Sequence, residues 1–153
     1  MQNLLNLLGA KRYPTSQEIM ASPVKFKRET LRTVKEWKSE QFTNWKTKNH
    51  TEKLAALYAL ITKLSQLYNK PVCVTQGGSY CYLPLTKTIG IQEGNYSIIS
   101  TLHEFAHHIF GSSEKQACRW SVWLFKKVFP KSFAKLRFAP NSHMLIKVQN
   151  AKQ

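Results

Sequence analysis

The residues best suited to chemistry stand together at His103-Glu104-Phe105-Ala106-His107, a His-Glu-x-x-His sequence. On a helix, side chains four apart share a face, so both imidazoles point the same way with a carboxylate beside them. At about 100° per residue from His103, His107 lies about 40° round and Glu104 about 100°. Ile98, Ile99, Leu102, Phe105, Ala106, Ile109 and Phe110 fall together between about 200° and 340°. The helix therefore has an apolar face for a core and a narrow His-Glu-His strip next to it. Two neutral imidazoles and an adjacent carboxylate are what a catalytic zinc needs, with one Zn²⁺ per chain. Glu104 would then take a proton from water activated by the metal. The bland alternative is two core histidines and a stray Glu. It would half-bury three titratable groups side by side, which is costly unless a cation neutralises them. His108 lies about 140° from His103 and is not expected to be a ligand.

A zinc of this kind takes a third protein ligand. Gly111 can stop the motif helix, Ser112-Ser113 can cap the next, and Glu114 opens it. That second helix is expected to reach about residue 129. Ala117, Cys118, Ser121, Leu124, Phe125 and Val128 form its inward face, with Glu114 in the same arc, and Lys115, Gln116, Arg119, Lys126 and Lys127 opposite. A carboxylate on the core side needs a partner, and the three-residue connection returns it beside the end of the first helix. Glu114 is the expected third ligand. The competing reading is an ordinary first-turn acid favoured by the helix dipole. Glu93 and His143 are substitutes, and His50 is more remote.

The elements that must position these groups can be read in order. An apolar start at Met1-Gln2-Asn3-Leu4-Leu5-Asn6-Leu7-Leu8 lacks a basic lead and is not expected to be a signal peptide. Thr15-Ser16-Gln17-Glu18 reads as a capped short helix. A helix is expected from Pro23 to about residue 41, with Phe26, Leu31, Val34 and Trp37 on its apolar face. Residues 42–50 read as a connector. Trp37 and Trp45 with flanking lysines could stack single-stranded nucleic acid, although core staples are the favoured reading. Residues 51–69 form the clearest helix, capped by Thr51 and stopped at Asn69-Lys70-Pro71. Strands are expected at 72–75, 80–83 and 88–92. The predicted class is α+β, mostly helical, with a small, largely antiparallel sheet of about three strands on the motif helix. One domain spans 1–153: a basic helical region to residue 50, a catalytic core at 51–137 and a tail at 138–153.

Charge narrows the chemistry. There are 23 Lys plus Arg against eight acids, every one a Glu, and the net charge is +15. The absence of Asp excludes Ser-His-Asp triads, aspartic-protease dyads, Asp-based two-metal nuclease sites and EF-hand loops. The positive excess favours a polyanionic partner, DNA or RNA first, against a basic protein with no dedicated site. Residues 115–153 carry nine Lys or Arg and no acid. Lys126, Lys127, Lys131, Lys135 and Arg137 are the expected nucleic-acid contacts. Three Cys without a CxxC suggest thiols serving as small core residues in a reducing, cytoplasmic setting. No apolar run reaches membrane-spanning length.

Residues 80–129 resemble the zincin metallopeptidases, in which a His-Glu-x-x-His helix packs under a small sheet. Glu114 on the following helix resembles the gluzincin branch. The Gly-Gly-x-Tyr turn at Gly77-Gly78-Ser79-Tyr80, the stretch Thr88-Ile89-Gly90-Ile91 and the lead-in Ile98-Ile99-Ser100-Thr101-Leu102 are similar to compact SprT-like and ImmA/IrrE-like intracellular enzymes. An ImmA-like alignment puts Gln116 at the third-ligand position; the helix wheel places it towards solvent and favours Glu114. The resemblance implies peptide-bond hydrolysis on a protein or peptide substrate, with His103, His107 and Glu114 on zinc and Glu104 as general base. It further implies a substrate strand lying along residues 88–92 as a sheet edge, and oxyanion help from Tyr80, Tyr96 or His143. A nucleic-acid-binding protein with a structural or vestigial zinc is the alternative. A deformylase-type amidase ranks last, because Asn95 stands where its ligand Cys would be expected.

Overall fold

A computed structural model describes residues 12–148, and the apolar stretch at the N-terminus lies outside them. The described chain is α+β and mostly helical. It runs α1 (Ser16–Met20), α2 (Arg28–Gln41), a 3₁₀ turn (Trp45–Thr47), α3 (His50–Tyr68), β1 (Cys73–Gly77), β2 (Cys81–Leu83), β3 (Thr88–Gln92), α4 (Ile98–Phe110), α5 (Glu114–Val128), α6 (Pro130–Ala134), β4 (Leu136–Phe138) and β5 (Leu145–Lys147). No helix among the described residues is long and apolar enough to cross a membrane.

Local chemistry sets the helix ends. α1 starts in a capping box: Thr15 Oγ1 accepts from the Glu18 N–H while the Glu18 carboxylate accepts from the Thr15 N–H. α3 starts the same way on Asn49 and Glu52, so its cap is Asn49 and not the expected Thr51. Asn69, at φ 53°, ends α3 in the left-handed conformation that Asn tolerates well. α2 begins at Arg28 and not at Pro23. The preceding segment is held from outside: Arg119 of α5 donates to the carbonyls of Glu18, Ile19 and Ser22. Those tertiary bonds fix the chain's path into α2, and Phe26 packs edge-on to Trp120.

The three-stranded sheet is mixed, in the order β1-β3-β2, with β1 parallel and β2 antiparallel to β3. β3 is therefore central, which corrects its assignment as the sheet edge. Its burial explains why: Ile89 and Ile91 are fully buried and Gly90 is buried between them. A Cβ on Gly90 would come within 2.7 Å of Cys81 Sγ, so any larger residue here would force the Cys81 side chain to move. Leu102, Phe105 and Ala106 of α4, Leu57, Leu60, Ile61 and Leu64 of α3, and Leu124 and Val128 of α5 complete the main core around β3. Trp37 is fully buried and donates its indole N–H to the Ala56 carbonyl at 2.7 Å. It is a core staple, unavailable for stacking nucleic acid. Of the three thiols only Cys118 is buried; Cys73 is exposed because it faces outward from the edge strand β1.

A satellite core joins Ile19, Cys118 and Val122, with Phe138 and Leu145 of the β4–β5 hairpin packed against it. α5 is thus buried on two sides, and the hairpin is pinned beside the metal-ligand candidates. The expected boundary after residue 137 falls inside β4.

Candidate metal centre

α4 and α5 are joined by Gly111, Ser112 and Ser113. Gly111 takes φ 110°, which a side chain would strain, and Ser113 Oγ caps α5 by accepting from the Gln116 N–H at 3.1 Å. The reversal sets the first turn of α5 against the last turns of α4. His103 Nε2 lies 3.0 Å and His107 Nε2 3.1 Å from the same oxygen, Glu114 Oε1. His103, His107 and Glu114 form a group that can hold a metal ion, with one donor atom from each lying within 4.8 Å of the others. Glu114 is 4% and His107 6% exposed, whereas His103 reaches the cleft. Glu93 is exposed outside this group, and His50 packs on Tyr96.

The hydrogen positions test whether this donor set fits a cation. His107 Nδ1 faces the Gly111 carbonyl at 2.8 Å, and a carbonyl only accepts, so Nδ1 carries the proton. The Nε2 of the same ring faces the buried Glu114 carboxylate at 3.1 Å, a contact that a proton or a metal cation between the two atoms completes. Burial pushes His103 down to about 4, with His107 adding to the effect against the pull of Glu114. His103 is therefore a neutral donor at ordinary pH. Its Nδ1 sits 3.8 Å from Cys118 Sγ, whose thiol burial pushes up to about 12. Each imidazole thus has a partner on its far nitrogen: a carbonyl for His107 and a thiol for His103. Two imidazoles and one carboxylate, oriented from behind, fit a metal ion.

His103 and Glu104 open onto a cleft of about 520 Å³. Tyr80, Ile99 and Val122 contribute to its walls, with Leu136, His143, Met144 and Leu145 from the C-terminal hairpin. The His143 ring stacks on Tyr13 at 4.0 Å with 11° between planes, which brings both ends of the described chain to the mouth. His143 was a candidate from the sequence, but Tyr13 and the β4–β5 strands that carry His143 to the cleft were not legible as parts of the site. The apolar alternation of Leu136-Arg137-Phe138 and Leu145-Ile146-Lys147 around Pro140-Asn141 is the signal that marks the hairpin.

The three oxyanion candidates are now distinguished by their surroundings. Tyr80 Oη donates to the Asn95 carbonyl at 2.7 Å and accepts from the Ser97 N–H at 2.8 Å, so it braces the entry to α4. Tyr96 packs in the core periphery and does not line the cleft. His143 does line it, on the hairpin opposite α4. His108 points away from the site. Its Nε2–H donates to the Lys70 carbonyl at 2.9 Å and its Nδ1 accepts from Tyr82 Oη at 2.7 Å, tying β2 and the end of α3 to α4.

Of the expected nucleic-acid residues, Lys127, Lys131, Lys135 and Arg137 are exposed. Lys126 instead lies over the Trp123 and Phe133 rings. No family model, curated protein or solved structure matches the chain.

Proposed function

We propose that this protein is a zinc-dependent peptidase whose metal is held by His103, His107 and Glu114. The carrying observation is that two imidazole Nε2 atoms converge on one Glu114 oxygen, and that one of those imidazoles, His103, lines a cleft together with Glu104. A structural zinc is ordinarily closed by four protein ligands; a catalytic one keeps three and leaves a position to water. Three donors beside an open cleft match the second pattern. The nitrogen and carboxylate donors suit zinc among the divalent ions.

When bound, the ion supplies Lewis acidity, bringing the pKa of a water towards 7 and polarising the scissile carbonyl. Glu104 follows His103 directly on α4 and lines the same cleft. It takes the proton from the attacking water and passes it to the leaving amine. His143, across the cleft, donates a hydrogen bond to the carbonyl oxygen as negative charge builds there. Gly111 and Cys118 hold the two ligand rings in place from their far nitrogens. An extended substrate would pair with β2, the antiparallel edge of the sheet, since β3 has strands on both sides.

The test compares the parent with Glu104→Gln. About one zinc per chain is expected in both, with cleavage of an unfolded test protein lost in the variant. Carefully purified protein without zinc, or unchanged cleavage by Glu104→Gln, would refute the proposal.

A further inference from the structure

The positive charge of the chain is ordered on α2. Arg28, Arg32 and Lys35 recur at three- and four-residue steps, followed by Ser39, and all four are exposed. At about 100° and 1.5 Å per residue they fall within an arc of about 60° and extend over about 16 Å. Glu29, Glu36 and Glu40 form a second stripe about 90° round the helix. The two flanks of α2 have different neighbours. On the acidic flank, Glu40 pairs with Lys63 of α3 at 3.5 Å. On the other, Lys38 Nζ donates to the Val128 carbonyl at 2.8 Å, which sets the basic stripe beside the end of α5 and exposed Lys127. This bond ties α2 to a segment about ninety residues away in sequence.

This surface is concave. Arg28, Leu31, Arg32, Lys35, Glu36 and Ser39 line one shallow furrow. Lys35 and Ser39 also line a second, which continues to Lys38, Phe42, Thr43 and Val128. Among the described residues, Arg28, Arg32 and Lys35 enter no ion pair. Cations held one per helical turn along a furrow complement a row of phosphates. The furrow shares no lining residue with the cleft at His103, so the two can act separately.

We infer that the α2 furrow, built on Arg28, Arg32 and Lys35 and continued by Lys38 beside the end of α5, binds the phosphate backbone of nucleic acid. An anionic membrane is the weaker fit. A helix lying on lipid needs its apolar face free to enter the surface, whereas α2 buries Val34 and Trp37 completely in the core. Contacts to phosphate oxygens carry no sequence information, so binding through this row of cations is expected to be largely insensitive to sequence.

The test uses the full chain and fluorescein-labelled single- and double-stranded 20-mers, followed by anisotropy from 50 to 200 mM salt. The triple variant Arg28→Gln, Arg32→Gln, Lys35→Gln is compared with Lys46→Gln, Lys87→Gln, Lys115→Gln, which removes the same charge elsewhere. The furrow triple should weaken binding at least tenfold and reduce the log–log salt slope by about 2–3; the control should stay within about threefold of the parent. Circular dichroism melts check folding, and Arg32→Glu alone should reproduce the direction of the loss if the triple is unstable. Equal loss in both triples, no binding at 50 mM salt, or furrow-dependent binding to phosphatidylserine vesicles without binding to nucleic acid would overturn the inference. Glu104→Gln should bind nucleic acid like the parent, so failure of the peptidase proposal leaves this result readable.

Discussion

At the scale of single residues, the site depends on what faces the far side of each ligand. His107 is oriented by the Gly111 carbonyl and His103 by the Cys118 thiol, a weaker partner. Cys118→Ala removes that partner and should weaken zinc retention about tenfold in competition with a chelator, with Cys118→Ser retaining more. His103 also makes the metal-free protein pH-sensitive. Its folded value, about 4, lies below the ordinary 6.5 because burial disfavours the charged ring. Between those values the unfolded chain binds more protons, so the stability is present above about pH 6.5 and lost as pH falls towards 4. Melting temperature of metal-free protein should drop across that window, and His103→Gln should flatten the drop. The His-Glu-His strip was legible because helix periodicity alone puts three polar groups beside an apolar face. The role of Cys118 was not, since only the crossing of α4 and α5 places its sulfur behind His103.

At the scale of elements, the motif helix is positioned by its neighbours' caps and straps. Asn49→Ala breaks the capping box of α3 and should cost about 1 kcal/mol in urea unfolding, with metal binding unchanged. Arg119→Met removes the donor that holds the carbonyls of Glu18, Ile19 and Ser22. It should release α1 and the path into α2, seen as faster amide exchange in residues 16–27 with α3 still protected. Most helices could be read from periodicity, and the cap of α1 was visible at Thr15, whereas the Asn49-x-x-Glu52 box of α3 was passed over in favour of Thr51. The start of α2 could not be placed from its own residues, because Arg119 and Trp120, far along the chain, decide where the extended segment ends. The order of the sheet was hidden for a similar reason: three short strands show alternation and turns, but which one lies in the middle depends on what covers Ile89 and Ile91.

At the scale of the whole molecule, a metal held by the His103, His107 and Glu114 group would be coupled to the fold. Glu114, His107 and Glu104 are all nearly buried, and a cation that binds only the folded chain stabilises it by mass action. Zinc at about 100 times its dissociation constant should add about 2.7 kcal/mol, read as a rise in melting temperature that chelation reverses. Glu114→Ala should abolish that rise. A rise of the same size in Glu114→Ala would place the metal elsewhere. The C-terminal hairpin closes the cleft through a satellite core with Val122 and Cys118. Ending the chain after residue 135 should therefore leave the main core folded and change zinc affinity less than it changes cleavage.

Taken alone, the sequence determined the motif helix, its reversal at Gly111, the inward Glu114, the α+β class and the exclusion of Asp-dependent chemistry. These are local properties, set by spacing, helix periodicity and residue type within about a dozen positions. Tertiary structure decided the rest: β3 as the central strand, Trp37 as a core staple, the hairpin and Tyr13 at the cleft, and the Lys38 bond that ties α2 to the end of α5. Each of these depends on contacts between residues far apart in the chain, where the preference of either partner does not identify the other. The motif could propose a metal, but only the packing of α5 on α4 brings Glu114 Oε1 within reach of both imidazoles.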